Sequence, residues 1–327
     1  MKRNLKLVTP VVAGLAAVLT VSACSSSSSG SSSGSSGSYK LSFIQGVAGD
    51  QFYITMQCGV QAEAKKLGVT VNTQGPQKFD PTLQKPIVDS VVASKPNAML
   101  IAPTDTSAMQ APLKQAASSG IKVVLVDTTV TDPSFATSSI SSDNTGGGAE
   151  AFRAIQQLNP NGGKVLVIST DPGVSTADAR VNGFADAVKA DPKFSYLGVQ
   201  YSHNDPSTAA QLITAQLAKD PDIVGVFATN LFAATGTSTG VQQAGKQSQV
   251  KIVGFDAGPD QIAALKAGTV QALIAQDPYQ IGVDGVDQAV NSLQGKAVTK
   301  SIQTGFHVIT RDNLSGEGAQ YAYKSNC

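Results

Sequence analysis

Polar side chains stand where several short apolar runs of this chain stop. Asp256 follows Lys251–Phe255, Gln276 follows Val270–Ala275, and Asp127 ends Lys122–Val126 in a Val-Asp-Thr step. Asn230 follows Ile223–Ala228, and Asp50 lies in Gly49-Asp50-Gln51-Phe52-Tyr53, between the first apolar run and the first helical pattern. Apolar runs bounded by turn residues read as buried strands, and in open α/β sheets ligands bind beyond the carboxyl ends of strands. The chemistry on offer is recognition. Carboxylates accept hydrogen bonds, carboxamides both donate and accept, and Phe52 or Tyr53 presents an aromatic face. The plainer alternatives are that Asp50 caps a helix, Asp127 caps a turn, and both aromatics pack in the core. No Ser-His-Asp spacing, metal-ligand cluster or nucleophile elbow is visible, and the chain has two His and no Trp.

The elements that must position these residues alternate. Leu41–Val47, Val69–Asn72, Ala98–Ala102 and Lys122–Val126 read as strands. Between them, Phe52–Leu67, Asp80–Ala93 and a segment from Asp105 to about Ser118 read as helices. Phe52, Met56, Val60, Ala64 and Leu67 share one face of the first, Gly68 ends it, and Asp80-Pro81 starts the second. After Ser138–Ser142 the alternation begins again. Helices over Thr145–Leu158, Ser175–Ala190, Pro206–Ala218 and Phe232–Ala244 alternate with strands over Lys164–Ser169, Tyr196–Tyr201 and Ile223–Ala228. The helix Gln261–Lys266 follows Pro259 and closes at Gly268, and Pro278 opens another. A βαβα series implies a parallel sheet covered on both faces. Here it implies an α/β protein of two doubly wound, Rossmann-like lobes. Thr145-Gly146-Gly147-Gly148 is not a phosphate cradle, because it lacks a Walker Lys-Ser/Thr and does not match GxGxxG. A hinge or close-packing role is expected there.

Composition narrows the class. The 327 residues suffice for two cores; 41% are hydrophobic, 14% are charged and the net charge is +1, so no basic surface for nucleic acid is expected. Met1–Lys6 carries three cations and Leu7–Val21 is apolar but shorter than the ~20 residues that span a bilayer. Residues 1–23 fit a secretory signal. Val21-Ser22-Ala23-Cys24 resembles a bacterial lipobox, which implies cleavage before an acylated Cys24. Residues 24–38 then form a Ser/Gly tether, with a reach on the order of 20 Å. Two cysteines remain. In an oxidising compartment Cys58 and Cys327 are expected to pair, pinning the C-terminus to the first helix; the alternatives are a small buried residue and a free thiol.

The stretch VGFDAGPDQIAALKAG, followed by ALIAQDPYQIG, resembles the ribose-binding-protein group of type I periplasmic binding proteins, the solute receptors of ABC sugar importers. The resemblance runs over roughly residues 39–312 and implies lobes joined by several hinge crossings, near Ser142, Gln276 and Phe306. It divides the chain into 39–142 plus 277–305, 143–276 plus 306–312, and a tail over 313–327. It also implies a site. Asp50, Phe52 and Tyr53 match the family's Asn-x-aromatic-aromatic signature. Asp127 matches an Asp usually followed by Arg, for which this chain has Thr128, a departure that argues against a simple ribose assignment. Arg180, in Ala177-Asp178-Ala179-Arg180-Val181-Asn182-Gly183-Phe184, matches an Arg that donates two parallel bonds to sugar oxygens; its plain alternative is a solvated helix residue. Asn230, Asp256 and Gln276 match the family's polar set. Asn204 stands where an aromatic often covers the sugar, with His203 as a substitute. Gly46 stands where a small polar residue is usual, beside Gln45, which is expected to compensate. His307 is expected to be solvated or at the hinge.

The implied function is a lipid-anchored, extracytoplasmic, monomeric receptor that closes on a monosaccharide or sugar alcohol and presents it to a permease with its ATPase. It needs no cofactor and no metal, and it performs no reaction. A sensory receptor on the same fold, or a receptor for a non-sugar small molecule, is the alternative. A LacI-type regulator would need an N-terminal helix-turn-helix, and an enzyme would need the catalytic groups noted above as missing.

Overall fold

The computed structural model describes residues 38–327; the expected signal, Cys24 and nearly all of the Ser/Gly tether lie outside them. Among the described residues, two six-stranded sheets form. The first orders its strands β11-β5-β4-β3-β1-β2, with β1 (Lys40–Ile44), β2 (Thr70–Gln74), β3 (Ala98–Ile101), β4 (Lys122–Val126), β5 (Ser138–Ser142) and β11 (Ser301–Thr304), all parallel. The second orders β12-β10-β9-β8-β6-β7, with β6 (Gly163–Ser169), β7 (Phe194–Tyr201), β8 (Ile223–Ala228), β9 (Lys251–Phe255), β10 (Ala272–Gln276) and β12 (Phe306–Thr310). Only β12 runs antiparallel there, against β10. This is the two-lobed α/β architecture that the alternating pattern predicts. The strand β11 has no signature in the sequence, because Ser301–Thr304 is short and Ile302 is its one apolar residue; it needs no apolar run, being an edge strand with exposed positions.

The chain passes between the sheets three times, after β5, after β10 and between β11 and β12. Helices α4 (Asn144–Leu158) and α9 (Pro278–Leu293) follow the first two crossings. Each is started by an aspartate: Asp143 accepts from the amide of Gly146 and Asp277 from that of Gln280, at 2.9 and 3.1 Å. In the first lobe, α9 packs on α1 (Gln51–Leu67). A methyl at Gly59 would run into the Tyr279 carbonyl, and one at Gly282 into the Met56 carbonyl, so two glycines let these helices touch backbone to backbone. In the second lobe, α4 meets α5 (Ser175–Lys189) the same way, Gly148 against the Arg180 carbonyl and Gly183 against that of Thr145. The Gly146–Gly148 run thus serves close packing. One helix is shorter than expected: α3 (Gln110–Ser118) begins late, because the Asp105 carboxylate takes the amides of Ser107 and Ala108 into a turn.

Candidate functional site

The corner after β4 and the corner after β9 are built alike. Asp127 and Asp256 each follow their strand in the left-handed conformation, φ 63° and 79°. Each amide donates across to the neighbouring strand, Asp127 to Ile140 and Asp256 to Ile274, both at 2.8 Å. A non-glycine residue held there costs on the order of 1–3 kcal/mol, and such strain collects where a side chain must be aimed. In both lobes it turns a carboxylate into the space between the sheets.

That space is a cavity lined by residues that include Asp50, Phe52, Tyr53, Asp127, Arg180, Asn204, Asn230, Asp256 and Gln276. The lobes meet at its rim: the Thr106 amide donates to the Gly173 carbonyl at 3.1 Å and the Thr129 amide to Ser175 Oγ at 3.0 Å. Nine of the ten residues singled out for the site therefore share one chamber. Thr128 is the exception and a correction: its hydroxyl donates to the Pro103 carbonyl at 2.6 Å and it faces away from the cavity.

Asp50 caps α1, accepting from the Phe52 amide at 2.8 Å through Oδ1, and it also lines the cavity. Its capping and site positions coincide rather than compete. Tyr53 donates to Asp127 Oδ2 at 2.7 Å, and Phe52 meets Tyr53 edge to face at 5.1 Å. Asp256 is the most fully partnered of the acids. Its Oδ1 receives Gln276 Nε2 at 2.7 Å and the Tyr323 hydroxyl at 3.0 Å, and its Oδ2 receives the Leu231 amide at 3.0 Å. Gln276 Oε1 accepts from Ser142 Oγ at 2.8 Å, which ties the second sheet to the first beside the crossing. Asn230 caps α7 (Leu231–Gln243) through Oδ1 and donates from Nδ2 to Asn204 Oδ1 at 2.7 Å.

Arg180 is not solvated: it is 4% exposed. Its Nε donates to Asn144 Oδ1 and its Nη1 to the Thr229 carbonyl, both at 2.8 Å, and its guanidinium lies 3.8 Å from the Phe255 ring centre. The one cation of the chamber is thus fixed in place with donor capacity to spare. Burial pushes the Asp50 carboxyl up to about 7, helped by the charge of Asp256 and opposed by the Phe52 amide. Burial likewise pushes Asp127 up to about 6, against the pull of Arg180 and the Tyr53 hydrogen bond. Both follow from removing an anion from water beside other anions.

Phe79, Thr170, Val174, Thr176 and Ala177 also line the cavity and were not foreseen. Thr170 was reachable, since it comes one residue after β6 just as Asp127 and Asp256 follow β4 and β9. Its hydroxyl is buried and has no hydrogen-bond partner. Gly46 lacks a side chain for a visible reason: a methyl there would overlap the Tyr53 hydroxyl and the Phe79 ring. Gln45 does not compensate, because its amide nitrogen donates to the Tyr53 carbonyl and to Gln57, at 3.3 and 3.2 Å. His203 does not reach in either. It sits 2.6 Å from Asp171 with its side chain 73% exposed. His307 stacks on Tyr321 at 3.4 Å. Cys58 and Cys327 are joined by a disulfide, Cα–Cα 5.3 Å. Among the described residues no group of His, Cys, Asp and Glu is placed to hold a metal ion.

Comparison with known proteins gives a consistent set of likenesses. A family model described as a periplasmic binding protein domain matches residues 41–297. The chain is 32% identical to the ribose import binding protein of Salmonella typhimurium over 295 residues, 90% of this chain and 95% of that one. A solute binding protein of an ABC transporter from Agrobacterium vitis, solved with bound alpha-D-tagatopyranose, is 40% identical with a TM-score of 0.86, over 88% of this chain and 99% of that one. A carbohydrate transporter solute binding protein from Agrobacterium radiobacter, in complex with D-arabinose, is 28% identical with a TM-score of 0.84, over 89% and 100%.

Proposed function

Because this chain belongs to the family of periplasmic binding protein domains, we propose that it captures a monosaccharide or sugar alcohol between its lobes and hands it to an ABC permease. One observation carries the reading. A single buried chamber collects three carboxylates, one guanidinium, three carboxamides and the Phe52 and Phe79 rings from both lobes. A polyol presents a hydroxyl at nearly every carbon, each able to donate and accept, and a ring adds an apolar C–H face. The carboxylates take the donated protons, Arg180 and the amides give to the oxygens, and the rings cover the C–H face. The unpartnered Thr170 hydroxyl gains a partner when the chamber fills. The relatives' ligands, ribose, tagatose and arabinose, are of this class.

The event is closure, a shift of population toward the state in which both walls touch the solute. The rim bonds from Thr106 and Thr129 belong to that closed state, and opening breaks them. A lipidated Cys24 would hold the protein at the outer face of the cell membrane as a monomer, where the closed form meets the permease and its ATPase. The test is a thermal-shift and calorimetry screen of protein unfolded and refolded to strip bound solute. Pentoses, hexoses, sugar alcohols and inositols are the panel. A ligand at 100 times its Kd adds about 2.7 kcal/mol to stability. A panel that stays flat throughout overturns the sugar reading.

A second reading has its own support. Three carboxylates face one guanidinium whose Nε and Nη1 are already engaged, and a protonated amine on the solute would balance them. Matched pairs such as glucose and glucosamine separate the two readings. A sensory receptor would share the binding event, and only growth and uptake in a deletion strain distinguish it from transport.

A further inference from the structure

Residues 313–327 run from β12 in the second lobe to α1 in the first. Just past their midpoint Tyr321 stacks on His307 of β12 at 3.4 Å. At the other end the Lys324 amide donates to Thr55 Oγ1 at 2.7 Å, and Cys327 is bonded to Cys58, both partners lying on α1. Between these anchors Tyr323 is 6% exposed. Its amide donates to the Ala257 carbonyl at 2.9 Å, and its ring lies 5.9 Å from that of Phe52. Its hydroxyl donates to Asp256 Oδ1 at 3.0 Å and accepts from the Gln276 amide at 3.1 Å. Tyr323 does not line the cavity; it stands behind two residues that do.

We infer that residues 313–327 are a strap across the hinge and that Tyr323 is a positioning residue for the solute, acting through Asp256 and Gln276. Asp256 sits in a conformation that costs energy to hold, and each of its oxygens is steered by donors behind it. Without the hydroxyl, Oδ1 keeps one donor and the buried Gln276 amide loses its acceptor. Both losses fall on residues that line the chamber. The ring of Tyr323 touches Phe52 of the first lobe while its hydroxyl holds the second, so the contact registers the relative setting of the lobes. The covalent bond at Cys58 keeps the far end from drifting off. The solute part of this inference rests on the reading of the chamber as a sugar site.

Tyr323→Phe keeps the ring on Phe52 and removes only the hydroxyl, and a Cys58→Ser, Cys327→Ser protein frees the far end. Two readouts are taken: amide hydrogen exchange at Gln276 in ligand-free protein, and calorimetric affinity for D-ribose, D-arabinose and D-tagatose. Tyr323→Phe is expected to speed exchange at Gln276 and to weaken the sugar that binds about tenfold, since a hydrogen bond to a charged group is worth about 1.5 kcal/mol or more. The disulfide-free protein should show a smaller loss in both, and adding Tyr323→Phe to it should cost less than in the parent. Unchanged exchange with unchanged affinity overturns the strap, as does a lowered melting temperature with affinity intact. Should the parent bind none of the sugars while exchange at Gln276 still responds, the sugar reading falls and the positioning role stands.

Discussion

Replacing Asp50 by Asn removes one buried charge and little else. The amide oxygen still caps α1 by accepting from the Phe52 amide, and the shape is unchanged. The carboxyl rises from an ordinary 3.8 to about 7 in the folded protein, through burial first and the charge of Asp256 second. A carboxyl raised on folding binds its proton more tightly in the native state. Its contribution to stability is therefore complete below about pH 4 and is lost as pH rises through about 7. Three pH units at about 1.36 kcal/mol each give about 4 kcal/mol as the full span. Asp50→Asn has nothing to lose at this position, so it should match the parent near pH 4 and exceed it by up to about 4 kcal/mol above pH 7. Asp127, also raised, is present in both proteins and largely cancels in the difference. Urea unfolding of ligand-free protein at several pH values between about 5 and 8 reads the gap directly. A gap that is the same at every pH refutes the argument, because it would mean Asp50 is charged throughout and its burial costs the fold nothing.

Three further outcomes are expected. Arg180→Ala leaves Asn144 Oδ1 and the Thr229 carbonyl without their donor, and should cost about 3 kcal/mol in urea unfolding along with loss of solute binding by calorimetry. Thr170→Val replaces a buried hydroxyl that has no partner by a methyl of the same shape. It should raise ligand-free stability by about 1 kcal/mol yet shrink the melting shift that solute produces. Gly46→Ala puts a methyl where the Tyr53 hydroxyl and the Phe79 ring now sit, so calorimetry should show affinity reduced at least about tenfold.

The fold was legible because its strands are buried on both faces and read as continuous apolar runs: Lys122–Val126 and Lys251–Phe255 need no alternation to be recognised. The corners were legible too, since a polar residue immediately after such a run has few places to point. Applied evenly, that rule reaches Thr170 as well as Asp127 and Asp256. It fails for Thr128, because direction after a left-handed residue is a matter of backbone angle, which residue type does not carry. It also cannot reach Phe79, which enters from the loop before α2 (Pro81–Ser94), or Tyr323, which stands 67 positions from the carboxylate it holds. Asp50 shows a different limit. Capping and a place in the cavity wall look like rivals in a sequence, yet one residue does both.

The order of strands along the chain has a consequence for assembly. Sheet two takes five of its six strands from the continuous stretch Gly163–Gln276. Sheet one receives its edge strand β11 and its covering helix α9 only after that whole stretch has been made. At roughly 5–20 residues per second of synthesis, the first-made half of the molecule waits on the order of ten seconds or more for its missing pieces. Its apolar face on α1, with Gly59 bare for the backbone of α9, stays uncovered for that time. The lobe that begins first waits longest for its missing pieces, and a chaperone's best target on this protein is the surface that α9 will later cover.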